Sequence, residues 1–161
     1  MRVSHVALDD FRSYRHAVVE FAPGTTVLLG SNGQGKTNLV EAVSYLSAFS
    51  SHRVSAEQAL VRLPLSADEP QPGGAVVRVR LVTAGERETV IELEIVRGKA
   101  NRAKVNRAQV RPREVLGLLK SVVFSPEDLQ IVRGDPQVRR QFLDDLLIQQ
   151  RPLIAQVKAD F

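Results

Sequence analysis

With 161 residues and 43% hydrophobic content, the chain is long enough and apolar enough for one packed domain and reads as globular and soluble. No stretch approaches the roughly 18 consecutive apolar residues of a membrane span, and residues 1–4 open no secretory signal, so the chain reads as cytoplasmic with no membrane partner. Zero cysteines exclude disulfides, thiolate zinc sites and a cysteine nucleophile together, while a net charge of +4 leaves polyanion binding open.

Residues 3–8 and 16–21 read as strands joined by a polar turn over residues 9–14, and Pro23-Gly24 turns into the apolar run 25–29, a short buried strand by pattern. That run leads directly into Gly30, Ser31, Asn32, Gly33, Gln34, Gly35, Lys36 and Thr37, which fill the pattern G-x-x-x-x-G-K-[ST]. The chemistry needs these types at this spacing. Glycines let backbone N–H groups curl around phosphate oxygens, the Lys36 ammonium neutralises β- and γ-phosphate charge, and the Thr37 hydroxyl is a ligand for Mg²⁺. A helix beginning near Lys36, with Leu39, Val40, Val43 and Leu46 at helical spacing, adds the positive end of its dipole.

Residues 63–74 form a Pro/Gly-rich loop. Two period-2 stretches, 75–83 and 88–96, then predict an antiparallel hairpin that puts Glu92 and Glu94 on its wet face. A shorter hairpin, 102–105 with 108–110, turns at Asn106-Arg107. A helical turn over 113–120 and a buried strand over 121–124 follow, and Asp135-Pro136 starts a long helix with Asp as cap. Residues 97–120 carry Arg97, Lys99, Arg102, Lys104, Arg107, Arg111, Arg113 and Lys120 against the single acid Glu114. With no aromatics interleaved for base stacking, this segment reads either as a surface for nucleic-acid backbone or as an ordinary solvated face. His5, His16 and His52 have no metal-ligand spacing.

Nucleotide hydrolysis also needs an apolar strand ending in Asp. Residues 121–124 run into Ser125-Pro126, and Phe142-Leu143-Asp144-Asp145 offers two apolar residues inside a helical pattern, so neither qualifies. The sequence predicts a chain that holds nucleotide without turnover of its own. It stops at Phe161 inside a helical pattern without a cap, which reads as truncation.

Several segments together carry a family resemblance: Leu8-Asp9-Asp10-Phe11-Arg12-Ser13-Tyr14, the phosphate loop continuing through Asn38-Leu39-Val40-Glu41-Ala42, and Ser51-His52-Arg53. Val123-Phe124-Ser125-Pro126-Glu127-Asp128-Leu129 follows, then Arg133-Gly134-Asp135-Pro136 and Arg139-Arg140-Gln141-Phe142-Leu143-Asp144. Over essentially its whole length the chain resembles the RecF family of DNA replication and repair proteins, recombination mediators with an ABC-type ATPase head like those of SMC proteins. The resemblance implies an α/β P-loop NTPase fold, an incomplete ABC/SMC-like lobe over residues 1–134 with antiparallel hairpins, and the start of a helical second lobe over 135–161. It implies ATP and Mg²⁺ as cofactors, binding of single-stranded or gapped DNA mainly through its backbone, other recombination-mediator proteins as partners, and roles in gap repair and the SOS response. In the full-length form it implies ATP-dependent homodimerisation and a weak DNA-dependent ATPase. By the same resemblance Arg12 approaches the phosphates and Arg53 couples DNA to the nucleotide site; a surface or helix-capping role fits each as well. Glu127 and Asp128 fall where related ATPases sense Mg²⁺ and water, or cap a helix. The rival readings are the head of another SMC- or ABC-type ATPase, a P-loop kinase, and an inert truncated P-loop domain.

Overall fold

The computed structural model describes residues 1–51, 53–54, 56–125, 134–154 and 157. Strands β1 (Arg2–Phe11), β2 (Tyr14–Glu20), β3 (Gly74–Val82), β4 (Glu88–Val96), β5 (Arg102–Val105) and β6 (Ala108–Val110) form one antiparallel sheet in the order β2-β1-β3-β4-β5-β6. Helix α1 (Lys36–Ala48) lies in the connection from β2 to β3, and helix α2 (Pro136–Gln150) follows the sheet in the chain.

Strand alternation puts Val6 and Leu8 of β1, Val77, Val79 and Leu81 of β3, and Ile91, Leu93 and Ile95 of β4 on one face. Against it pack Leu39, Ala42, Tyr45 and Leu46 of α1, with Leu60, Val61, Val115 and Leu119, in a single buried cluster. Truncating one of these large side chains, such as Leu46 to alanine, costs about 2–5 kcal/mol by lost transfer energy and cavity formation. Asp135 caps α2 by accepting a 2.7 Å hydrogen bond from the Gln137 amide, with Pro136 following it. Helix α2 packs beside α1 with Ile148 buried, and Ser50, just past the end of α1, donates its hydroxyl to Asp145 at 3.0 Å.

Both later hairpins match the sequence pattern closely, and the turn at Asn106-Arg107 has positive φ at both residues (49° and 72°), as a two-residue hairpin requires. Elsewhere the structure corrects it. The first hairpin turns at Arg12-Ser13 alone, since Phe11 pairs with Tyr14. The polar residues before it stay in the strand because they have ionic partners there: Asp9 with His16 at 2.6 Å and Asp10 with Arg62 at 2.7 Å. Residues 113–120 form only a 3-10 turn at Pro112–Val115 and a further tight bend. Residues 25–29 and 121–124, expected as buried strands, have no ladder partner among the described residues, and Val27, Leu29, Val122 and Phe124 are exposed. A short apolar run becomes a strand only where a neighbouring strand takes its backbone hydrogen bonds. Leu28, Val40, Val43 and Val123 instead border an open apolar groove of about 370 Å³.

The outer face of the sheet carries a row of alternating charge across five strands. His16 meets Asp9 at 2.6 Å, Asp9 meets Arg78 at 2.6 Å, Arg78 meets Glu92 at 2.5 Å and Glu92 meets Lys104 at 2.8 Å. The register dictates this row: Asp9 faces His16, Arg78 faces Glu92, and Glu92 faces Lys104. Glu92 is therefore on the wet side, as its alternation predicts, with its charge committed to neighbours. Burial pushes the Asp9 carboxyl up, but hydrogen bonds from His16 and Arg78 and their charges outweigh it and leave it below its ordinary value. For Glu92 the hydrogen bond from Lys104 leads; burial opposes it, and Arg78 completes a net lowering. Each pair is partly exposed and contributes about 1 kcal/mol or less. A carboxylate whose folded pKa is depressed stabilises the fold above its unfolded pKa and loses that contribution as pH falls through the folded one. The urea midpoint of the native chain should hold above about pH 5 and drop below about pH 4, and an Asp9→Asn, Glu92→Gln double variant should show a shallower drop. Parallel pH profiles for the two proteins would exclude this row as a source of acid sensitivity.

Candidate nucleotide-binding site

The segment from Gly30 to Thr37 curls from the extended run 25–29 into the first turn of α1. Gly33 has φ 82° and Gly35 φ 92°, conformations that side-chain-bearing residues rarely adopt. At Gly35 a Cβ would also lie 2.7 Å from the Ser13 hydroxyl oxygen and 3.0 Å from the Tyr14 ring. The loop is closed by Lys36, whose Nζ donates to the carbonyls of Gly30 and Ser31, both at 2.7 Å. Two of three ammonium donors are thereby used, and the third remains for a ligand.

Helix α1 begins without a side-chain cap and without an acid in its first turn. Its leading amides and the positive end of its dipole are left beside Lys36 and the exposed Thr37, a donor set suited to phosphate. Among the described residues no cluster of three His, Cys, Asp or Glu side chains stands ready for a metal. A single hydroxyl ligand from Thr37 fits a magnesium ion only where phosphate oxygens and water supply the rest.

The tip of the first hairpin covers the far side of the loop. Tyr14 donates its hydroxyl to the Gly35 carbonyl at 3.1 Å, and the Asn38 amide donates to the Ser13 hydroxyl at 2.9 Å. Arg12 forks onto Glu41 through Nε at 2.9 Å and Nη2 at 2.6 Å, and donates Nη1 to the Ala59 carbonyl at 3.0 Å. Arg53 donates Nη1 to Asn38 at 2.9 Å and to Glu41 at 3.1 Å, and Ser51 donates to Glu41 at 2.6 Å. The structure thus gathers Arg12 and Arg53, distant in sequence, on one carboxylate beside the phosphate loop.

That carboxylate is 1% exposed. Burial pushes it up, but the Arg12 and Ser51 hydrogen bonds and the charges of Arg12 and Arg53 outweigh burial and hold it below the usual glutamate range. Motif reading passes over Glu41, Ser13, Asn38 and Tyr14 as working residues. A signal for Glu41 was present, since it falls on the same side of α1 as Ala42 and Tyr45, where a charge needs partners. His52, Glu127, Asp128 and Arg133 lie outside the described residues.

The basic segment lies at the other edge of the sheet. Lys104 and Arg102 pair with Glu92 and Glu94 at 2.8 and 3.7 Å, while Lys99, Arg107, Arg111, Arg113 and Lys120 are exposed with no ion pair among the described residues. No helix among the described residues is long and apolar enough to cross a membrane.

Residues 2–136 match the family described as RecF/RecN/SMC N terminal domain. The chain is 53% identical over all of its length to the DNA replication and repair protein RecF of Frankia alni, of which it spans 41%. A solved structure of the recombination mediator protein RecF with ATP superimposes with TM-score 0.79 and 32% identity, covering 92% of this chain and 39% of that one. A structure described under ATP-driven dimerisation and DNA-stimulated activation of SMC ATPases has TM-score 0.72 at 22% identity, covers 89% of this chain and 98% of that one, and speaks for the fold alone. By that family match and by a RecF relative aligned along all of its length, the chain belongs to the RecF/RecN/SMC N-terminal domain family.

Proposed function

We propose that this chain is the ATP-binding N-terminal part of a RecF-type DNA repair and recombination-mediator protein that works in the cytoplasm. The observation that carries this reading is the closed phosphate loop, with Lys36 bridging the carbonyls of Gly30 and Ser31 against an uncapped α1. Residues Gly30 to Thr37 supply backbone amides and one ammonium to the triphosphate, and Thr37 supplies one oxygen ligand to Mg²⁺. The metal, when bound, screens the charge between the β- and γ-phosphates. Arg12 and Arg53 add positive charge at the same mouth. Residues 1–134 form the ATPase lobe, and α2, capped by Asp135, opens a second, helical lobe over 135–161.

In the full-length protein ATP joins two such lobes, and DNA and the other mediators of gap repair and the SOS response are its partners. For DNA the surface this chain offers is the β5–β6 edge with Arg107, Arg111 and Arg113. That edge is three to four strand spacings from β1, about 14–19 Å. Binding there would be to phosphate, governed by charge count rather than base identity.

Lys36→Ala should weaken Mg-ATP binding at least about tenfold in a calorimetric titration, because charge-assisted bonds to phosphate are lost. Equal affinity in both proteins would end the nucleotide reading. For DNA, replacing Arg107, Arg111 and Arg113 by glutamine should weaken retention of a single-stranded oligonucleotide by the full-length protein and flatten the log-affinity against log-salt slope by about one for each phosphate no longer neutralised. An unchanged slope would remove the β5–β6 edge from the DNA surface.

A further inference from the structure

The buried carboxylate of Glu41 has all its acceptor positions filled. Oε1 accepts from Arg12 Nη2 and Ser51, both at 2.6 Å, and Oε2 accepts from Arg12 Nε at 2.9 Å and Arg53 Nη1 at 3.1 Å. Four donors saturate a carboxylate. The two guanidiniums that share it are used very differently. Arg12 commits Nε, Nη1 and Nη2 to protein acceptors and is 17% exposed, so it is held fast.

Arg53 commits only Nη1, whose two hydrogens go to Asn38 and Glu41. Its Nε and Nη2 have no protein partner among the described residues, and the side chain is 36% exposed. Those two nitrogens form the edge of the guanidinium that matches two oxygens of a phosphate in parallel. Asn38, the other anchor of Nη1, follows Thr37 directly in the first turn of α1, so the open edge is tethered to the phosphate loop itself. Two guanidiniums on one carboxylate also leave one surplus positive charge at the mouth.

We propose that Glu41 is a positioning residue of the nucleotide site: together with Asn38 it grips one end of the Arg53 guanidinium so that the opposite Nε/Nη2 edge is presented to the phosphates of a bound nucleotide, while it pins Arg12 alongside as fixed charge. The inference rests on the nucleotide reading above. It assigns Glu41 no contact with the ligand. Its effect passes through Arg53, and that separates it from a carboxylate that only holds the fold together.

A double-mutant cycle on the full chain tests it, with Mg-ATP as the titrant and thermal melting recorded for every variant. Glu41→Gln should weaken Mg-ATP binding about tenfold in the native background and less than about twofold in an Arg53→Gln background, since an effect transmitted through Arg53 disappears with it. Glu41→Asp, which keeps the charge, should recover part of the loss. Asn38→Ala leaves the buried carboxylate in place and should show the same dependence on Arg53, so this second cycle decides if Glu41→Gln does not fold. Equal losses in both backgrounds overturn the proposal, as does a dependence on Arg53 seen only when a single-stranded oligonucleotide replaces Mg-ATP. Lys36→Ala distinguishes the two levels: Lys36-dependent binding with additive cycles sinks the role of Glu41 alone, whereas binding indifferent to Lys36 sinks both.

Discussion

Gly35 is the point where the first hairpin, the phosphate loop and α1 meet, and the absence of a side chain there is the constraint on which the site depends. Its φ of 92° turns the loop into the helix, and the Ser13 hydroxyl and Tyr14 ring occupy the space a Cβ would need. Any larger residue would both strain the backbone and push the hairpin tip away. The tip would then carry Arg12 away from Glu41, so one missing methyl group connects loop geometry to the arrangement of charge. Tyr14 adds to this by donating to the Gly35 carbonyl at 3.1 Å, which ties the hairpin to the backbone of the loop.

Two charge networks in this protein do opposite kinds of work. The row from His16 to Lys104 crosses the outer face, where solvent screens each pair and the individual contributions are about 1 kcal/mol or less. At the other hub the Glu41 carboxylate is buried, and leaving such a charge without compensation typically costs about 3–5 kcal/mol. The first network follows from register: residues that face each other across strands carry opposite signs. The second is built from three separate pieces of chain, the hairpin tip, α1 and the segment after it. A network of that kind ties the placement of Arg12 and Arg53 to the folding of the whole lobe.

The difference also explains how much could be read without coordinates. The placement of the glycine-rich loop is legible because its pattern is contiguous: eight successive residues define it, and α1 begins at Lys36 as the pattern requires. The β5–β6 hairpin was legible because period-2 alternation and Asn106-Arg107 act locally. Arg12 and Arg53 were named from a resemblance, but their meeting on Glu41 is a long-range event that no local pattern encodes. The first hairpin departs from its sequence pattern for a related reason. Asp9 and Asp10 read as turn residues by type, and only partners elsewhere in the fold, Arg78 and Arg62, make them strand residues.

Residues 25–29 and 121–124 show the same limit from the apolar side. A continuous apolar run is the pattern of a strand covered on both faces, and its conformation by itself satisfies none of its backbone groups. Here both runs lack ladder partners among the described residues, and both border the same groove beside Val40 and Val43 of α1. Their proximity means that the sequence pattern and the structure agree on location while differing on pairing. The run before the phosphate loop fixes where the loop starts, through Leu28 packed on the core cluster, even though Val27 and Leu29 on either side are exposed. One inward residue suffices to anchor the loop, because the hairpin tip and Lys36 hold its shape from the other side.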